Sequence, residues 1–278
     1  MWFLVFICTA TAVGGVPVHP TQEASSHSTD NITVTSTLDV SKPAPTAALQ
    51  GNGTSMLEPQ RVSAETLEDF QEKKNVDEGD ILIPEDRNAV ETLWSDAVVP
   101  YTISSELAHR KANILSAFKM ISDVTCIRFR PYTTELNYVN IRNGRGCASY
   151  VGCQGGDQSL YFGPTCGIGN LCHEIIHALG LHHEHSRNDR DWHVTVQWQN
   201  IKAGKERYFK VKRGNTLNLP YDLDSIMHYG PYYFTQDGSP TLLSKQGGVT
   251  MGQRTHLSNL DIQKLNKLYH CDERMKWL

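Results

Sequence analysis

Two histidines four residues apart, His173 and His177, with Glu174 between them, are the part of the sequence best suited to chemistry. Four residues is about one helical turn, so both imidazoles project from one face and can address a single ion. Ile175, Ile176 and Leu179 give the same stretch a face to bury, and Asn170 stands where an N-cap would open a short helix. Gly180 follows, and a residue without Cβ can take the left-handed conformation that ends a helix and turns the chain back. In the resulting H-E-x-x-H-x-x-G-x-x-H pattern the last position falls on His183, not on His182 or His185. Three neutral imidazoles suit zinc and leave a position for water, whose pKa the metal brings to roughly 7. Glu174, beside the first ligand, is placed to take a proton from that water as general base. A bare H-E-x-x-H also occurs on ordinary amphipathic helices. The glycine and the third histidine separate this stretch from them.

The extended pattern is the metzincin motif, and the residues after it narrow the resemblance further. His183-Glu184-His185-Ser186-Arg187-Asn188-Asp189-Arg190-Asp191 resembles the H-E-x-x-R-x-D-R-D continuation of the astacin family of zinc endopeptidases. The resemblance implies an α+β fold: a two-lobed, zincin-like catalytic domain with a twisted mixed sheet, an active-site helix and a C-terminal helix. It implies one zinc per chain and a protein or peptide substrate. Asp222-Leu223-Asp224-Ser225-Ile226-Met227-His228-Tyr229 resembles the family's Met-turn, which would place Met227 as an apolar floor beneath the zinc histidines. Tyr229 matches the tyrosine that in astacins can ligate zinc and swing away to donate a hydrogen bond to the oxyanion. A gap-filling core methionine and a satisfied core tyrosine would look alike in sequence.

Upstream, Glu78-Gly79-Asp80-Ile81 resembles the family's aspartate switch, in which Asp80 would occupy the water position on zinc. Asp77 stands where the family has phenylalanine, and a plain Gly-Asp turn would read the same. Arg87-Asn88 resembles a cleavage site for a trypsin-like activating protease. Cutting there would make Asn88 the new N-terminus, which the resemblance places near Glu184; a charge paired with Arg187 is the other reading of that glutamate.

Residues 1–15 read as a secretory signal peptide: an apolar run from Trp2 to Cys8 and an A-x-A pattern at Ala10 and Ala12, although no Lys or Arg precedes Lys42. The run is too short to span a bilayer, and no later stretch nears the roughly 20 apolar residues a membrane helix needs. A secreted, extracellular protein is expected, and the six cysteines remaining after Cys8 suit an oxidising compartment. Cys126 and Cys271 resemble one family disulfide pair, and Cys147 and Cys166 the second. Cys153 and Cys172 are then expected to bridge and brace the chain before His173, with a free thiol at Cys172 as the rival.

Residues 16–87 read as a propeptide, largely flexible: rich in Ser, Thr, Ala and Pro at first, with N-x-T sequons at Asn31 and Asn52 for glycosylation. Charge divides at the same boundary. Residues 1–87 carry 5 basic and 13 acidic side chains, and the remainder 21 and 17, so the two parts stand at −8 and +4. An acidic leader suits a zymogen segment lying across a basic cleft, although a solvated acidic tail would have the same composition.

Residues 88–278 form the expected catalytic domain, with strands at 98–103, 127–130, 138–141, 159–162 and 194–198. Helices are expected at 104–120, with Leu107, Ile114, Leu115 and Phe118 inward, weakly at 199–209, and after Ser258, which opens a capping box with Asp261. The segment around Cys147–Val151 resembles the family's edge strand that binds extended peptide by strand addition. Residues 88–278 are expected to hold one catalytic domain without further modules, which is similar to the short hatching-enzyme type, yet Asn88 to Pro100 lacks the extra cysteines of those enzymes. A monomer is expected, with no basic-aromatic array for nucleic acid. The reading is a secreted zinc metalloendopeptidase made as a zymogen, with egg-envelope proteins among its expected extracellular substrates. The alternative is a non-catalytic, zinc-stabilised extracellular binding protein that offers the edge strand to a partner.

Overall fold

The strand expected at 98–103 is an interior strand of the molecule's main sheet, paired on both sides. In the computed structural model, which describes residues 76–84 and 92–274, all described residues belong to one compact unit, Ser55–Leu278. The expected signal peptide, the sequons at Asn31 and Asn52, and the Arg87–Asn88 bond lie outside the described residues. The strands are β1 (Val76–Asp77), β2 (Ile81–Leu82), β3 (Val98–Ile103), β4 (Arg128–Pro131), β5 (Tyr138–Arg142), β6 (Cys147–Ala148), β7 (Asp157–Phe162), β8 (Val194–Val196) and β9 (Leu242–Ser244). The helices are α1 (Lys111–Ser122), α2 (Ile168–Ala178), α3 (Asn259–Leu268) and the short α4 (Cys271–Arg274).

Five strands form the mixed sheet in the order β4-β3-β5-β7-β6. The first three pairings are parallel, and β6 runs antiparallel to β7 at the edge. Alternation along β5 turns Val139 and Ile141 inward, where they meet Ile114, Phe118 and Ile121 of α1 and Ile175 and Ile176 of α2. Phe118 stacks on Phe129 with ring centroids 4.2 Å apart. A second, smaller core lies on the C-terminal side, built from Val194, Tyr208, Phe209, Tyr221, Phe234 and Leu242 around the antiparallel β8–β9 pair. Met227 packs in the first core and Tyr229 in the second, so the Met-turn joins the two lobes.

Several local expectations are corrected. The helix expected at 104–120 is a 3₁₀ stretch, Ser105–Arg110, leading into α1, and this change of pitch turns Leu115 out to 41% exposure. Trp198 leaves the β8 strand for a 3₁₀ turn, and the span 199–209 holds only such turns, at Trp198–Asn200 and Glu206–Phe209. Helix α2 starts earlier than Asn170: Gly167 is its N-cap, and the Asn170 side chain reaches back to accept the Gly167 N–H at 2.8 Å. Ser258 does open α3 with the expected capping box, its hydroxyl accepting from Asp261 N at 2.9 Å.

The disulfides Cys126–Cys271 and Cys147–Cys166 are formed, but Cys153 and Cys172 are separate buried thiols and the expected third bridge is absent. The helix fixes the reason. Consecutive positions turn by about 100°, so Cys172 does not follow His173; it lies fully buried near the Asp261 charge. Cys153 is held elsewhere by backbone pairing with Thr92, its N–H donating to Thr92 O at 2.7 Å.

Candidate metal and catalytic centre

Helix α2 is buried along nearly its whole length, which forces its polar residues to converge on something. His173, Glu174 and His177 are fully buried on it. Gly180 ends the helix with φ of 108°, a conformation only glycine takes readily, and the reversed chain returns His183 to the same point. His173 Nε2 and His177 Nε2 each lie 3.2 Å from His183 Nε2.

The other ring nitrogens are all committed. His173 Nδ1–H donates to Ile226 O and His177 Nδ1–H to Leu181 O, both at 2.7 Å, while His183 Nδ1 lies 2.5 Å from Glu78 Oε2. Each outward bond fixes a tautomer with the Nε2 lone pair aimed inward. Three imidazole nitrogens about 2.0 Å from a tetrahedral zinc are about 3.3 Å apart, close to the separations seen. Asp80 completes the group: its carboxylate oxygens lie 3.3 Å from His173 Nε2, 3.3 Å from His183 Nε2 and 3.9 Å from His177 Nε2. These four residues are all buried and their donor atoms fall within 4.8 Å of one another, a donor set that fits zinc.

Asp80 is delivered by the β1–β2 hairpin, whose turn at Glu78 and Gly79 has φ of 48° and 86°. The hairpin lies along the sheet edge. Leu82 N–H donates to Ser149 O at 2.8 Å and Ser149 N–H to Asp80 O at 2.9 Å, a parallel pairing one residue beyond β6. The expected peptide-binding edge is thus filled by residues 80–82 of the same chain. Glu78 is almost fully buried, and burial alone would raise its carboxyl. The His183 hydrogen bond and the charges of His183, His185 and Lys212 outweigh that and hold it at about 2.

The Met-turn backs the histidines. Asp261 of α3 accepts from Ser225 Oγ at 2.6 Å and from Ile226 N at 2.9 Å, and the Ile226 carbonyl in turn receives the His173 ring. The Tyr229 hydroxyl donates to Glu78 O, and its ring stacks on His185 with centroids 3.6 Å apart. Burial and the nearby Glu78 and Asp80 charges push its phenol well up, so it stays a donor. His228, for which the sequence suggested no role, donates from Nδ1 to Tyr229 O and receives the Tyr221 hydroxyl at Nε2, both at 2.8 Å.

Glu184 does not wait for a partner. Lys264 Nζ lies 2.6 Å and Arg187 Nη1 3.1 Å from its oxygens, and Asp222 N–H donates to it at 2.9 Å. The Arg187 reading was visible in sequence; Lys264, 80 residues away, was not. Beside this group a cavity of about 210 Å³ is lined by Glu184, Arg187, Lys264 and Met227. Lys212, the bonds of Glu78 to His183 and Lys212, and the hold of Asp261 on the Met-turn also escaped sequence reasoning, because nothing local marks a charged residue whose partner lies on another element.

Comparison with known proteins agrees with this geometry. A family model described as Astacin (Peptidase family M12A) matches residues 86–270. Zinc metalloproteinase nas-15 of Caenorhabditis elegans is 43% identical over 185 residues, 64% of this chain and 32% of that protein. Zinc metalloproteinase nas-4 of the same organism is 37% identical over 219 residues, covering 71% of this chain and 70% of that one. The chain therefore spans about a third of the first relative's length and more of the second's. Among solved structures, High choriolytic enzyme 1, a hatching enzyme zinc-protease from Oryzias latipes, superposes with a TM-score of 0.62 at 35% identity, covering 69% of this chain and all of the other.

Proposed function

Since the chain belongs to the astacin family, peptidase family M12A, we propose that it is a secreted zinc endopeptidase made as a zymogen, with His173, His177 and His183 as ligands and Glu174 as general base. The observation that carries this reading is the convergence of three Nε2 atoms at 3.2 Å spacing, with Glu174 next to the first of them on α2.

Zinc bound there would polarise the scissile carbonyl and acidify the attacking water. Glu174 takes the proton of that water and passes it to the leaving amine. Tyr229, released from Glu78 O, donates its hydroxyl to the developing oxyanion. Met227 floors the ligands, and Asp261 holds the turn that orients His173. An extended substrate would pair with Ser149 at the edge of β6, the position residues 80–82 occupy here. In the zymogen Asp80 caps the metal position, and a cut at Arg87–Asn88 frees the segment. The new Asn88 ammonium would then enter the cavity beside Glu184 and join Lys264 there. Extracellular proteins, egg envelopes among them, are the substrates this reading suggests, given the hatching enzyme among similar structures.

The test is hydrolysis of a quenched peptide library by the secreted chain before and after limited trypsin treatment, with Glu174→Ala as control. Activity that appears after the cut and is missing from the variant supports the reading. Full zinc-dependent hydrolysis by Glu174→Ala removes the assigned base, and silence after correct cutting favours a zinc-stabilised binding protein.

A further inference from the structure

We propose that Lys212 forms a carboxylate-binding subsite of the substrate cleft, filled here by Asp77 and Glu78 of the chain's own N-terminal segment and open to an acidic side chain of a peptide substrate once that segment leaves. The inference rests on the endopeptidase reading above. Lys212 Nζ lies 2.8 Å from Asp77 Oδ2 and 2.9 Å from Glu78 Oε1. The second oxygen of the same Glu78 carboxylate is on His183 Nδ1. Lys212 therefore stands one carboxylate away from a metal ligand, close enough to read a side chain near the scissile bond.

The ammonium is also placed rather than loosely solvated. Lys212 N–H donates to Ser186 O at 2.7 Å, which ties its backbone to the turn just after His183. Its side chain is only 30% exposed. The charges acting on it are those of Glu78 and Asp77, which raise its pKa against the opposing effect of burial. Both acids belong to the segment that activation would remove, so the mature cleft would present a positioned cation that has lost both of its counter-charges. Such a group favours a new anion. Its surroundings add to the field: Arg207 also feels Asp77, and Lys210 and Arg213 flank Lys212 in the sequence. Asp77 takes the place where the family carries phenylalanine, so the segment is anchored here by charge.

A fluorescent peptide of residues 74–84, added to the trypsin-activated, zinc-loaded chain, measures this subsite by binding. Lys212→Ala is expected to weaken the wild-type peptide about tenfold, the scale of a half-buried ion pair. A peptide with Asp77→Asn, which leaves the Glu78 bond to His183 in place, should bind the unaltered enzyme several-fold more weakly, yet bind Lys212→Ala no worse than the acidic peptide does. Losses that simply add would show that the Asp77 carboxylate and Lys212 do not meet, and would overturn the proposal. With substrates, the kcat/KM ratio of glutamate-bearing to alanine-bearing peptides should fall about tenfold in Lys212→Ala, and Lys212→Glu should shift preference towards lysine. An unchanged ratio beside a coupled binding cycle would make Lys212 a latch for the segment alone, which also overturns the subsite. Hydrolysis surviving in Glu174→Ala would sink the endopeptidase reading separately, because the binding cycle needs no turnover.

Discussion

At the scale of single residues, the site depends on imidazoles whose surroundings decide their protonation. His228 shows this away from the ligands. Its Nδ1 faces a carbonyl that can only accept, so the neutral ring must carry its proton there and receive the Tyr221 hydroxyl at Nε2. Burial, aided by Arg254 and Lys264, lowers its pKa from 6.5 to about 4. A histidine with a depressed folded-state pKa leaves the unfolded chain binding more protons between those two values, so stability falls as pH drops from 6.5 towards 4. The shift corresponds to a loss on the order of 3 kcal/mol. Urea unfolding across that range should show a shallower pH slope in His228→Gln than in the unaltered protein, and equal slopes would mean His228 does not titrate this way. The cysteines give a second residue-scale outcome. Burial raises the thiols of both Cys153 and Cys172, so native protein should resist alkylation and label at both positions on unfolding. Mass spectrometry finding Cys153 bridged to Cys172 would contradict the structure. Motif spacing made His173, His177 and His183 legible because local helix geometry determines where they point. The fate of Cys153 and Cys172 was not legible, since a bridge depends on directions set by two different elements.

At the scale of elements, what matters is how α2 is seated. Its first turn lies against the loop before α3: a Cβ built on Gly169 would sit 1.7 Å from Arg254 O and 2.4 Å from Arg254 C. Backbone cannot yield as a flexible side chain can, so Gly169→Ala must shift the helix or the loop that carries Arg254. A loss of about 2–3 kcal/mol is expected, at the overpacking end of measured effects, together with weaker zinc retention because His173 and His177 ride on the same helix. Thermal unfolding and zinc release to a chelator measure both. Unchanged melting would show that the close approach is not real in solution. The sequence marked α2, α3 and most strands through their periodicity and caps. It misplaced what packing decides: Leu115 turns outward because 3₁₀ winding before α1 rephases the helix, and Asn170 caps from N3 because Gly167 precedes it. The close contact at Gly169 left no trace at all, since one glycine among 21 carries no signal of its neighbour.

At the scale of the whole molecule, one short hairpin contacts the metal position, the strand edge, Tyr229 and Lys212 at once. Asp80 faces the three Nε2 atoms, the backbone of residues 80 and 82 pairs with Ser149, the Glu78 carbonyl receives Tyr229, and the Asp77 and Glu78 side chains hold Lys212. On the zymogen reading these are four separable restraints, and only the first runs through the Asp80 side chain. Replacing that side chain leaves the Ser149 N–H to residue-80 carbonyl bond intact, since it uses backbone, and leaves the edge strand covered. Uncut Asp80→Ala chain should therefore gain hydrolysis of small peptides that need only the metal position, while staying well below the trypsin-cut protein on long substrates that need the β6 edge. Adding Glu78→Gln and Asp77→Asn should loosen the charged anchor and move the uncut chain closer to the cut one, more so at high salt, where the remaining exposed charges are screened. A single Asp80→Ala change that yields full activity on long substrates would show that the carboxylate alone enforces latency and that strand and charge contacts are incidental. Partial release, with the deficit growing with substrate length, would instead identify the covered strand edge as an independent barrier.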